Sequence, residues 1–201
     1  MTNVQNLIEE EEDEEKCVSL KWIEQETRRI ANIVQKLLDF SSSDLDSTQG
    51  ANVSKVIVET IALITYSLKE TQDIAITTDL KEDIPHISMS QDEFKQTIIN
   101  LVKNSIQAIE GKGQILIKTR HSIPDRSIYV TIEDDGVGIK EEIIPQIFDP
   151  FYTTKHNGEG TGLGLSIVYG IINKYKGTIT VTSKKGKGTQ ICLKIPILVE
   201  H

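Results

Sequence analysis

Residues 134 to 164 carry two glycine-punctuated loops, Asp134-Asp135-Gly136-Val137-Gly138 and Gly160-Thr161-Gly162-Leu163-Gly164, with Ile147-Phe148-Asp149-Pro150-Phe151-Tyr152-Thr153-Thr154-Lys155 between them. Alternate glycines let backbone amides close around an anion with no Cβ in the way. The second loop runs straight into Leu165-Ser166-Ile167-Val168-Tyr169-Gly170-Ile171-Ile172, whose apolar spacing reads as a helix. A phosphate at that junction would meet free amides and the positive end of a helix dipole. One Gly-x-Gly run by itself reads equally well as a turn between strands. Upstream, Phe94, Ile98, Leu101, Val102, Ser105 and Ile109 share one face of a helical segment, and Gln96, Asn100, Lys103, Asn104 and Gln107 share the other. A wet amphipathic helix is the ordinary reading of such a stripe. Asparagine is nevertheless a mediocre helix former, whereas a neutral amide oxygen is a hard magnesium ligand that adds no negative charge beside phosphates.

In order and spacing, the helix with Asn100 and Asn104, the Asp134-x-Gly136-x-Gly138 loop, the Phe148-Asp149-Pro150-Phe151 segment and the Gly160-x-Gly162-x-Gly164 loop resemble the N, G1, F and G2 boxes of sensor histidine kinases of two-component systems, members of the GHKL/HATPase superfamily. The resemblance covers residues 18 to 196. It implies ATP and Mg2+ as cofactors, with Asn104 the metal ligand and Asn100, Asn104 and Lys155 at the catalytic positions. It also implies that Asp134 accepts a hydrogen bond from the adenine amino group, although the residue also reads as a turn former. Gly136 and Gly138 would pass close to the base, Ile139 would pack on it, and Thr189 would reach the adenine pocket through water. Gly160, Thr161, Gly162, Leu163, Gly164 and Leu165 would face the phosphates. Lys103, Gln107, Tyr152 and Thr154 complete the implied nucleotide contacts, and residues 152–159 form the lid.

These residues need a scaffold, and the pattern supplies one. A helix is expected over 18–41, where Leu20, Ile23, Thr27, Ile30, Val34 and Leu37 alternate three and four apart and ask for a partner helix. By resemblance its second half is the end of a dimerisation hairpin, so a homodimer through residues 18–41 is expected. Polar residues 41–52 mark a boundary between a partial helical hairpin, 1–45, and a catalytic domain, 46–201. Beyond it come a helix at 53–69, a strand at 74–80, the asparagine helix at 91–110, strands at 115–120 and 128–133, a helix at 163–174 and a hairpin of 178–183 with 189–195. This order makes an α+β fold, a two-layer α/β sandwich. The resemblance implies the Bergerat-type ATP-binding version, a mixed sheet backed by three helices.

The formal net charge of −8 looks hostile to nucleic acid, and none is expected as a partner, but seven of the thirty acidic residues lie in one run from Glu9 to Glu15 and the remaining 23 nearly balance 22 Lys and Arg, so the acidity describes no binding face. That run reads as a solvated linker. Cys17 and Cys192 lie in no motif and read as unpaired thiols of a reducing cytoplasm. No apolar stretch is long enough to cross a bilayer, so a cytoplasmic location is expected, with membrane contact only through an upstream sensor region. The resemblance implies a response regulator receiver domain as partner. It also requires an acceptor histidine on a hairpin helix, yet the four histidines are His86, His121, His156 and His201. The chain is therefore expected to hold the donor side and not to label itself. Other readings are a nucleotide-binding regulatory module without its own acceptor, another GHKL ATPase, or an anti-sigma-type serine kinase.

Overall fold

The computed structural model describes residues 13, 15–23, 27, 50–68, 73–155 and 161–198. The chain divides into two compact units, Met1–Leu45 and Asp46–His201. In the first, residues 15–23 are helical. The helix begins earlier than its apolar spacing suggests, because Asp13 caps it: its Oδ1 accepts from the amides of Glu15 at 3.0 Å and Lys16 at 3.4 Å. The acidic run therefore ends as a helix start, not wholly as a linker. Val18, Trp22 and Ile23 are exposed, and most of the expected stripe (Ile30, Val34, Leu37) lies outside the described residues.

The second unit is a five-stranded sheet in the order β1-β2-β3-β5-β4, with β1 Ile74–Asp79, β2 Gly113–Ser122, β3 Ser127–Asp134, β4 Thr178–Ser183 and β5 Thr189–Pro196. Only β1 and β2 pair in parallel. A parallel pair needs a crossover, which here contains helix α2, Gln91–Ala108. Helix α1, Val53–Leu68, and helix α3, Gly164–Lys174, both pack on α2. This mixed sheet backed by helices is the fold expected.

Burial alternates along the strands: Ile115 and Ile117 of β2, Ile128, Val130 and Ile132 of β3, and Ile191, Leu193 and Ile195 of β5 point inward. Against them α2 buries Phe94, Ile98, Leu101 and Val102, each contributing roughly 1.5–3 kcal/mol of transfer free energy. The covered face ends in two polar residues, Asp134 and Thr189, paired in register and each 8% exposed. A 3-10 helix, Glu141–Gln146, carries Pro145 and was not expected, because six residues hold too little periodicity to announce it.

Candidate nucleotide site

At the end of β3, strand alternation turns Asp134 onto the buried face and Asp135 away from it. Three donors converge on Asp134: Oδ2 accepts from Ser105 Oγ at 2.8 Å, and Oδ1 accepts from the amides of Gly136 at 3.1 Å and Thr189 at 3.2 Å. Burial nevertheless prevails and holds the carboxyl above its ordinary range, against the pull of the Ser105, Gly136 and Thr189 bonds. The Gly136 bond, two residues on, is also the local contact of a turn-forming Asp, so Asp134 keeps that role as well, while Asp135 reaches across to β2, its Oδ1 accepting from the Gln114 amide at 2.8 Å.

The glycines of the first loop are spent on the chain itself. A Cβ on Gly136 would lie 2.5 Å from the Ala108 carbonyl oxygen, and the next amide, Val137, donates to that same oxygen at 2.9 Å. Gly138, at φ +66°, lies against the Lys184 carbonyl, and Gly188, at φ +83°, against the carbonyl of Asp134, so close in both cases that any Cβ would overlap backbone. Sequence reasoning gave Gly136 and Gly138 to the base; the described neighbours that demand glycine are the end of α2 and the β4–β5 turn. Ile139, half-buried, is tied to the same turn, its amide donating to Ser183 Oγ at 2.8 Å. Ser183 lies 2.8 Å from the Gly188 carbonyl and 2.9 Å from Thr189 Oγ1. With its one proton on the carbonyl, Ser183 must accept from Thr189, whose lone pairs then remain for a water or an amino group.

One to two turns back along α2, Asn100 and Asn104 face the first residue of α3. A Cβ on Gly164 would lie 3.8 Å from Asn100 Oδ1 and 3.9 Å from both Asn104 terminal atoms, ordinary contact. Helix α3 begins with no side-chain cap, and its first amides are the ones a helix leaves open to a ligand. Asn100 Nδ2 is buried without a hydrogen-bond partner, a donor that a phosphate oxygen would satisfy. Among the described residues, no group of three His, Cys, Asp or Glu is placed to hold a metal. A cation here would be held by amide and phosphate oxygens, a donor set that suits magnesium. The buried donor, the uncapped helix and the amide pair fit a magnesium triphosphate.

The second loop is stitched to the segment before it. The Phe151 amide donates to the Gly162 carbonyl at 3.0 Å, and Leu163, whose amide donates to Thr161 Oγ1 at 3.4 Å, is buried. Leu165 is half-buried. Lys155 Nζ donates to Gln107 Oε1, which sets the lysine beside the last turn of α2. Tyr152 is half-buried, whereas Lys103 and Thr154 are exposed. Gly160 and His156 lie outside the described residues. His121 pairs with Ile128 and the His86 carbonyl accepts from Leu198, both at the end of the sheet away from Asp134. Ser105 and Ser183 escaped sequence reasoning. Ser105 reads as a small filler of the apolar face; the signal was a hydroxyl one position after Asn104 on the buried side.

A family model described as histidine kinase-, DNA gyrase B- and HSP90-like ATPase matches residues 89–199. The sensor kinase CckA of Brucella abortus is 33% identical over 192 residues, 89% of this chain and 20% of that protein. The signal transduction histidine-protein kinase AtoS of Escherichia coli is 33% identical over 178 residues, 89% of this chain and 29% of its own length. The chain thus spans under a third of either relative. A solved structure of the catalytic domain of histidine kinase ThkA superposes with a TM-score of 0.65 at 30% identity, covering 73% of this chain and 93% of that one.

Proposed function

Because the chain belongs to the histidine kinase-, DNA gyrase B- and HSP90-like ATPase family, we propose that it is the ATP-binding catalytic part of a two-component sensor histidine kinase. It binds Mg-ATP and passes the γ-phosphoryl group to a histidine on a dimerisation hairpin, from which a response regulator receiver domain takes it. The observation that carries this reading is the pairing of Asn100 and Asn104 with the uncapped start of α3, while Ser105, the residue after Asn104, holds a buried carboxylate.

Adenine lies against Asp134, whose remaining Oδ2 lone pair accepts from its amino group, with Thr189 accepting from a bridging water. The amides from Thr161 to Leu165 and Asn100 Nδ2 donate to the phosphate chain, and Lys155 exchanges Gln107 for a phosphate oxygen. Asn104 Oδ1 would hold magnesium, which when bound would neutralise phosphate charge. Phosphoryl transfer asks a protein chiefly for positioning and electrostatic stabilisation, and these residues supply both. Two copies pair through residues 18–41. Among the described residues no helix is long and apolar enough to cross a membrane, and anchoring would come from elsewhere in a longer protein.

The test is ATP labelled at the γ position, with magnesium, given to the chain alone and with a histidine-bearing dimerisation hairpin. Label on the hairpin, and none on the chain alone, is expected. Tight nucleotide binding with no transfer to any hairpin would favour a regulatory module instead.

A further inference from the structure

Away from the nucleotide, the start of α2 and the end of α3 share a cluster that the proposed mechanism does not use. Ser90 caps α2, its Oγ accepting from the Glu93 amide at 3.2 Å and donating to Glu93 Oε2 at 2.9 Å. In a capping box the carboxylate at this position reaches back to the N-cap amide. Here that amide donates to Tyr175 Oη at 3.4 Å, and Glu93 is directed onto α3. Tyr175 Oη donates to Glu93 Oε2, and Lys174 Nζ donates to Oε1 at 2.9 Å, with the Glu93 side chain 11% exposed. Burial opposes the charge of Glu93, but the bonds from Tyr175, Lys174 and Ser90 outweigh it and keep the carboxyl below its ordinary range.

The geometry of the two helices gives this cluster leverage. Glu93 meets the last residues of α3 while Asn100 and Asn104 meet its first, so the helices run antiparallel. At 1.5 Å per residue, Glu93 to Asn104 spans about 16 Å and Gly164 to Lys174 about 15 Å, so the pinned end and the nucleotide end belong to one stiff pair. None of the three donors to Asp134 lies on α3, so the adenine end is held independently.

We infer that Glu93 is a positioning residue for phosphoryl transfer: with Tyr175 and Lys174 it locks the end of α3 to the start of α2 and thereby sets the spacing of Asn100 and Asn104 from Gly164. The inference rests on the kinase reading for its consequence, and on the helix pair alone for its geometry. The contact is a lock on the phosphate end that leaves the base end untouched.

Two measurements on the full chain test it in Glu93→Ala, Glu93→Gln and Tyr175→Phe. In the first, Glu93→Ala weakens Mg-ATP binding about ten-fold while adenosine affinity stays within roughly two-fold, and Glu93→Gln, whose carbonyl oxygen can still accept from Lys174 while its NH2 donates to Tyr175 Oη, recovers part of the loss. Equal losses for adenosine and Mg-ATP would reduce Glu93 to a general stabilising residue and overturn the inference. In the second, the side-chain amide NMR signals of Asn100 and Asn104, read without nucleotide, shift in Glu93→Ala and return in Glu93→Gln; signals that stay in place overturn it. If the unaltered chain fails to bind Mg-ATP, the proposed function falls, while the amide signals still decide the lock. Should Glu93→Ala not fold, Tyr175→Phe removes one donor, keeps the ring and gives the same two readings.

Discussion

The two ends of the nucleotide site are built on opposite plans. At the end proposed for adenine the buried carboxylate of Asp134 is held by three donors, and the glycines there are jammed against the chain's own carbonyls. At the phosphate end a buried amide nitrogen lacks a partner, a helix starts uncapped and Gly164 has room for a methyl group. The end proposed for adenine is therefore preformed, and the end proposed for the phosphates is left for its ligand to complete. Unsatisfied donors cost a folded protein stability, and retaining one where a polyanion binds converts that cost into affinity.

Glycine replacement probes this contrast most strongly. Gly188→Ala forces a Cβ into the Asp134 carbonyl at positive φ, and thermal or urea unfolding should show a loss of about 2 kcal/mol or more. Gly164→Ala meets only ordinary contacts and should unfold within roughly 1 kcal/mol of the parent, with its effect confined to Mg-ATP affinity. A stable Gly188→Ala protein would contradict a preformed adenine end.

Asp134→Asn separates binding from folding. Its carbonyl can take the Oδ1 place facing the Gly136 and Thr189 amides, and its NH2 can donate to Ser105 Oγ, so the fold is retained. Lost acceptance from adenine should cost roughly 1.5–3 kcal/mol of ADP affinity by calorimetry. Unchanged affinity would remove Asp134 from the site. Asn104→Ala acts at the other end, and its loss should appear with magnesium and vanish in EDTA. Equal losses in both conditions would make the asparagine structural.

The smallest effect expected is on pH dependence. Asp134 has a folded pKa above its ordinary 3.8, so the folded state keeps a proton that the unfolded state has lost. Stability should fall as pH rises from 3.8 through the folded value and then level off. Glu93 has the opposite sign: its folded pKa lies below 4.5, and its contribution, present above 4.5, is lost as pH falls through the lower folded value. Asp134→Asn should abolish the first slope and leave the second. A profile identical to the parent's would mean that Asp134 titrates as if exposed.

Much of the fold was legible in local pattern. The faces of α2 follow from a 3.6-residue period, and β3 and β5 from a period of two, because side-chain direction along a regular backbone repeats with the chain. The ends of elements were less legible. Asp13 starts a helix inside what reads as an acidic linker, since a cap depends on one hydrogen bond and leaves no periodic trace, and α2, whose start at Gln91 was expected, ends at Ala108 instead of 110.

Residue type and spacing by themselves marked an α/β sandwich and singled out Asn100, Asn104, Asp134 and the glycine loops, and they carried the resemblance that implied a mixed sheet and one site for these groups. They did so because amide pairs, alternate glycines and periodic apolar residues are local in the chain. Only the tertiary structure decided what those groups touch: Ser105 holding Asp134, Gly136 and Gly138 pressed on the chain's own carbonyls, Asn100 left with an unmet donor, and Glu93 bound across to α3. The physical reason is sequence separation. Ser105 and Asp134 are 29 residues apart and Glu93 and Lys174 are 81 apart, and contacts at such range are set by how the elements pack, which no local pattern encodes.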